Sequence, residues 1–299
     1  MAQIKANGID IAYEKHGREG DPVVCLIQGL GQPLSAWPAG LIDGLTSAGL
    51  SVLTFDNRDI GQSQVHSHLG VPKLAIQILK RKIGLRARAP YHLTDMMADT
   101  HGLLKALGIP RAHIVGVSMG GMIAQLLAIH VPEVVASLTS IMSTTGRRGL
   151  PGARRDVGKH VFSRPQTNAL ADKVAFSVKT WELIASPAYP PQKDELREFV
   201  LRNYQRGITA GGVTRQIAAI IAASGREKQL RNINIPALVI HGDADPLVRP
   251  QCGVDTANSI PGAMLKMIPG MGHDLPAPLL DSIVAMITRH VARAEGINA

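Results

Sequence analysis

Short runs rich in aliphatic and β-branched residues alternate along the chain with longer segments in which apolar side chains recur every three or four positions. That rhythm predicts a largely parallel sheet joined by crossover helices. Residues 23–27 (VVCLI), 51–55 (SVLTF), 113–117 (HIVGV), 134–142, 237–241 (ALVIH) and 263–268 (AMLKMI) are the predicted buried strands. The spacing of Leu93, Met96, Met97, Leu103, Leu104 and Leu107 predicts a helix over 94–107. Thr94 is its expected N-cap, and Gly108 with Pro110 closes it. An apolar helix is expected from Ser118 to about His130, stopped by Pro132, and a last helix over 277–295.

Between 144 and 230 the sheet rhythm disappears. Helical patterns rich in Arg and Lys take over, broken at Pro151, Pro165, Pro187, Pro190 and Pro191, and the strands return only at 237. One α/β domain interrupted by a helical insertion fits this better than two domains in series. The expected layout is a core in two parts, 1–143 and 231–299, with a helical segment over 144–230. A chain of 299 residues is long enough to bury such a core.

Composition narrows the function classes. At 45% hydrophobic and 18% charged residues, the chain is not disordered. Two cysteines exclude a disulfide framework and a Cys-rich zinc site, and they fit a reducing compartment. The opening stretch MAQIKANGIDIAYEKHG has no apolar run of the kind a signal peptide needs. The uncharged stretch from Ile114 to Ile129 is too short to span a membrane. The expectation is a cytoplasmic protein without a transmembrane segment.

The net charge of +9 is concentrated. Residues 64–92 carry six cations and no acid, and residues 145–228 carry a net +8, which leaves −5 for the rest of the chain. A basic chain prompts a nucleic-acid reading, but no basic motif here is interleaved with aromatics, so no nucleic-acid partner is expected. The excursion at 71–88 (VPKLAIQILKRKIGLRAR) mixes aliphatics with cations. It reads either as a second flap at a pocket mouth or as an amphipathic segment touching anionic lipid. The two basic segments either border an entrance and attract anionic or amphiphilic esters, or form ordinary solvated surface.

Three short motifs carry chemistry. Gly116-Val117-Ser118-Met119-Gly120 matches G-x-S-x-G, with a buried strand before it and an apolar helix after it. A serine in that strained turn needs glycine on both flanks, because side chains there would meet neighbouring backbone. His241-Gly242-Asp243-Ala244-Asp245-Pro246 and Gly270-Met271-Gly272-His273-Asp274 follow the next two strands. The order Ser, Asp, His and the strand-end positions suit nucleophilic catalysis, with spacing alone leaving Asp243 and Asp245 both open. No metal-ligand cluster, G-x-G-x-x-G or P-loop pattern occurs, so no cofactor or metal is expected.

With QGLG at 28–31, FDNRDIGQS at 55–63, GVSMGG at 116–121, HGDADPLV at 241–248 and IPGMGHDLP at 268–276, the chain resembles the α/β-hydrolase superfamily over nearly all its length. Within it, the motifs look most like those of bacterial carboxylesterases related to aclacinomycin methylesterase. The resemblance implies an α/β-hydrolase fold with a mostly parallel sheet and a helical cap inserted after the sixth core strand. It selects Asp245 over Asp243 and implies Ser118 as nucleophile, His273 as base and Asp245 as its orienting acid. It also implies an oxyanion hole of the Leu30 and Met119 backbone N–H groups. Gln28 stands where many members have His. Asp56, Arg58 and Asp59 are read as bracing their turn, and Asp274 as a structural carboxylate.

For the substrate side the candidates are Gln28, Gly29, Trp181, Ile184, Ile217, Ile221 and Leu247. The expected activity is a serine carboxylesterase for short- to medium-chain esters, its partner a small-molecule ester. The same constellation serves methylesterases, lactonases, acyltransferases and perhydrolases, and a slow-turnover ligand receptor is the reading from another class.

Overall fold

In the computed structural model, which describes residues 2–163 and 165–297, eight strands form one sheet. They are β1 (Ala2–Ala6), β2 (Ile9–His16), β3 (Val23–Ile27), β4 (Ser51–Phe55), β5 (Ala112–Val117), β6 (Val135–Ile141), β7 (Ala237–Gly242) and β8 (Met264–Ile268). The order across the sheet is β1-β2-β4-β3-β5-β6-β7-β8. The pairs β1–β2 and β2–β4 are antiparallel and all others parallel. The strands read from the sequence match within two residues. The exception is 2–16, left unassigned there, which forms a hairpin. Its turn, Asn7-Gly8, has positive φ at both residues (49° and 78°), as a two-residue turn between twisted strands requires.

All six residues of β5 are buried, since helices cover both faces of the sheet there. Ile114 joins the apolar layer under α3 (Leu93–Ala106) and α4 (Met119–His130), whereas Val115 and Val117 join the layer under α1 (Ala39–Ser47) and α11 (Leu280–Ala294). α4 buries ten of its twelve residues, and this is why its sequence is apolar all round. α3 starts one residue before its predicted span. Its N-cap is His92, not Thr94, because Asp95 one turn on reaches back to accept the His92 N–H at 2.6 Å. α2 (Leu74–Lys82) lies on the excursion between β4 and α3.

Between β6 and β7 the chain forms α5 (Arg155–Val161), α6 (Leu170–Ile184), α7 (Lys193–Gly207), α8 (Ala210–Ala222) and α9 (Glu227–Leu230). α6 and α7 share a small apolar cluster of Val174, Leu196 and Val200 with Trp181 and Phe199. α10 (Pro250–Ser259) follows β7, and α11 starts at Leu280 after a short 3₁₀ turn. Two ion pairs, one buried and one partly buried, tie the insertion to the loop after β4. Arg206 of α7 meets both Asp56 carboxylate oxygens at 3.1 and 3.0 Å, and Arg215 of α8 meets both of Asp59 at 2.8 and 2.6 Å.

Candidate active site

Ser118 is the residue where β5 turns into α4, and its backbone sits at φ 54°, ψ −117°. A non-glycine residue held there is strained and persists only where its surroundings over-determine it. Those surroundings are tight. A Cβ at Gly116 would stand 2.2 Å from the Gly120 carbonyl oxygen, and one at Gly120 would stand 2.0 Å from that of Ile27. Glycine is therefore obligatory on both flanks. The Ser118 N–H donates to the Ile141 carbonyl at 2.9 Å, and Ser143 Oγ donates to the Ser118 carbonyl at 2.7 Å.

The loop after β7 places Asp245 under the loop after β8. Gly242 permits that approach, since a Cβ there would stand 2.0 Å from the Met271 carbonyl oxygen. Asp245 is fully buried and its Oδ1 accepts the N–H groups of Leu247 and Val248, each at 2.9 Å. Its Oδ2 lies 2.6 Å from His273 Nδ1, and His273 Nε2 lies 3.0 Å from Ser118 Oγ. An ionised carboxylate only accepts, so Nδ1 carries the proton and Nε2 is the lone-pair nitrogen facing the serine hydroxyl. Burial opposes the Asp245 charge, but His273 and hydrogen bonds from His241 and His273 outweigh it and hold the carboxyl far below its usual range. The arrangement can polarise Ser118 Oγ–H and shuttle its proton.

Asp243 is exposed and accepts the Gly270 N–H at 2.7 Å, while Asp245 alone of the two reaches His273. His241 donates to the Val248 carbonyl at 2.8 Å and so shapes the acid loop. Asp274 makes no hydrogen bond to His273 or Ser118 among the described residues and accepts from both the N–H and the hydroxyl of Ser186, just past α6. Burial pushes its carboxyl up to about 6, against the Ser186 hydrogen bonds that favour its charge. Nothing in the sequence pattern marks Ser186.

Opposite the serine runs the 28–31 loop. A Cβ on Gly29 would stand 3.3 Å from Ser118 Cβ, so the loop backbone lies against the serine. Gln28 is buried and its Oε1 accepts the Gly29 N–H at 3.0 Å, which supplies side-chain support to the loop. Gln216 of α8 accepts the Gly31 N–H and donates to the Arg58 carbonyl, each at 2.9 Å. Among the described residues neither the Leu30 N–H nor the Met119 N–H has a hydrogen-bond partner. Met119 is the first residue of α4, where the helix dipole favours negative charge.

Of the substrate-side candidates, Ile184 is buried at the end of α6 and its carbonyl accepts the His273 N–H at 2.7 Å. Ile217 and Ile221 are half-buried on α8, and Leu247 is half-buried on the acid loop. Trp181 packs edge-on against Phe199 at 5.3 Å, within the insertion's own cluster. Arg58 pairs with Asp99 at 2.5 and 2.6 Å, so Asp56, Arg58 and Asp59 all brace the loop. Both cysteines are buried, and burial pushes the Cys25 thiol up to about 12. No helix among the described residues is long and apolar enough to cross a membrane.

A family model described as alpha/beta hydrolase fold matches residues 22–276. The chain is 26% identical to a protein named rhodomycin D methylesterase DauP from Streptomyces sp. (strain C5), over 97% of this chain and 98% of that protein. It is also 26% identical to 3-oxoadipate enol-lactonase 1 of Acinetobacter baylyi, over 80% of this chain and 77% of that one. Among solved structures, the enol-lactonase of Burkholderia xenovorans LB400 superposes with a TM-score of 0.69 at 22% identity, covering 97% of this chain and all of that one.

Proposed function

The chain belongs to the α/β-hydrolase fold family, and from that premise we propose that it is a serine hydrolase of carboxylic esters working through an acyl-enzyme. The observation that carries this reading is the unbroken relay from Ser118 Oγ to His273 at 3.0 Å and from His273 to Asp245 at 2.6 Å. Ser118 Oγ attacks the ester carbonyl as His273 Nε2 takes its proton. The oxyanion gathers on the N–H groups of Leu30 and Met119. His273 returns the proton to the departing alkoxide, and a water molecule repeats the sequence to release the acid. Asp245 fixes the imidazole's tautomer and stabilises its positive form.

Residues 144–230 act as a cap over this relay, between the two core parts 1–143 and 231–299. Ile184, Ile217 and Ile221 are the aliphatic side chains it offers to the substrate. With Trp181 committed to packing on Phe199, the pocket wall is aliphatic, which suits short- to medium-chain acyl or alkyl groups. A methyl ester of a larger acid is the second reading. The full-length likeness to proteins named rhodomycin D methylesterase favours it, and it uses the same steps.

A rapid-mixing assay with p-nitrophenyl acetate, butyrate and octanoate tests the proposal. The expected result is a burst of p-nitrophenol stoichiometric with protein, then steady turnover, with both lost in Ser118→Ala. Turnover without Ser118 would sink it, and the ranking of the three esters sizes the pocket.

A further inference from the structure

Seven of the eleven large hydrophobic side chains exposed among the described residues fall between Val65 and Leu85. Ile76, Leu79 and Ile83 are spaced i, i+3 and i+7 on α2 and its C-cap, and Leu85 follows; all four are roughly half or more exposed. They form a stripe on one side of the helix. The other side is fixed to the insertion. Arg81 donates to the carbonyls of Ile221 and Ala223 at 2.7 and 2.6 Å, where α8 ends, and the half-buried Leu74 and Ile78 share its face. The aliphatic stripe is thus held toward solvent on an anchored helix.

Cations frame the stripe. Lys73, Lys80, Lys82, Arg86 and Arg88 surround it, and no acid occurs from 64 to 92. At its end opens a groove of about 480 Å³ lined by Lys80, Leu85, Arg86, Ala87, Arg88 and His92 among others. A contiguous aliphatic patch ringed by charge marks a surface that is covered in use.

We propose that residues 73–88 are a docking surface for an anionic phospholipid bilayer. Ile76, Leu79, Ile83 and Leu85 enter the boundary between headgroups and acyl chains, and Lys80, Arg86 and Arg88 meet lipid phosphates in and around the groove. The chemistry selects this occupant. A second copy of the chain would bring one all-cationic rim against another. A nucleic acid would find no aromatic side chain among residues 73–88 on which to stack a base. An anionic bilayer satisfies cations and aliphatics together, because long basic side chains reach the headgroup level while their neighbours stay below it. The docked helix lies against α8, whose Gln216 accepts the Gly31 N–H of the loop bearing Leu30.

Flotation of the intact protein with vesicles tests this. Binding is expected to mixed phosphatidylcholine–phosphatidylglycerol vesicles at low salt, weakening toward an ionic strength of about 0.15 M, and to be absent with phosphatidylcholine alone. Replacing Lys80, Arg86 and Arg88 together by Gln is expected to weaken binding on the order of a hundred-fold. The triple variant Ile76→Gln, Leu79→Gln, Ile83→Gln should abolish it, and since these side chains are already exposed its melting midpoint should match the wild type. No binding to the mixed vesicles would overturn the proposal, as would binding undiminished in the apolar variant. So would a lipid-free dimer in sedimentation that the apolar variant dissociates, because a second copy would then be the occupant.

Discussion

The backbone N–H of His273 donates to the carbonyl oxygen of Ile184 at 2.7 Å, which ties the imidazole facing Ser118 to the last turn of α6. The insertion therefore helps to set the position of the histidine. Gly272 makes the approach possible, since a Cβ there would stand 2.6 Å from the Ala185 carbonyl. Gly272→Ala is expected to displace the histidine loop and lower kcat by roughly a hundred-fold, the scale of a 1 Å misplacement. Gly152→Ala, at a site with nothing within 4 Å and no positive φ, is the neutral control. Steady-state kinetics of the two variants beside their melting curves make the comparison.

The two aspartates of the acid loop should separate cleanly. Asp245→Asn removes the acceptor that fixes the His273 tautomer and is expected to cost roughly 10³–10⁴-fold in kcat. Asp243→Asn disturbs a single exposed bond to the Gly270 N–H and is expected to cost about 1 kcal/mol of stability at most, with kcat nearly intact. Equal losses in kcat would contradict the assignment.

Asp274 predicts a pH-dependent stability. Burial raises its folded-state carboxyl to about 6, against a reference of 3.8. Between those values the native state holds a proton that the unfolded state has released, so this group's contribution is complete below about pH 4 and is lost as pH rises through 6. Asn at this position keeps an acceptor for both Ser186 donors without the charge. Asp274→Asn is therefore expected to gain stability relative to wild type as pH rises, by at most about 3 kcal/mol above pH 6. Urea midpoints at pH 4.5 and 7.5 read the difference, and a constant gap between the proteins would refute it.

The ion pair between Arg215 and Asp59 holds α8 on the core. Burial would raise the Asp59 carboxyl, but Arg215, the His66 N–H and the Tyr91 hydroxyl outweigh it and hold it low. Arg215→Met leaves that carboxylate buried without its cation, and the expected loss is roughly 3–5 kcal/mol. The double variant Arg215→Met, Asp59→Asn should recover part of it in denaturant titrations.

The relay was legible because each of its members follows a predicted strand and the glycines beside Ser118 and Asp245 answer to specific backbone approaches at Ile27 and Met271. The sheet was legible because β3 and β4 are buried runs with sharp ends. Residues 2–16 escaped because charges interrupt β1 and β2, and only Asn7-Gly8 announces the turn. The N-cap of α3 was misplaced because Thr94 is the commoner capping type, whereas Asp95 acts from inside the helix. Arg206, Arg215, Gln216 and Ser186 carry no local signal. Their partners lie some 88 to 185 residues away, a separation that no periodicity encodes.

The central claim is that the acyl group passes through Ser118. Mixing the protein with p-nitrophenyl acetate, quenching within the burst and mapping peptides by mass spectrometry tests it directly. One acetyl group on Ser118, absent from Ser118→Ala, is the predicted result. An acetyl group on another residue, or full turnover with Ser118 unmodified throughout, would contradict the account.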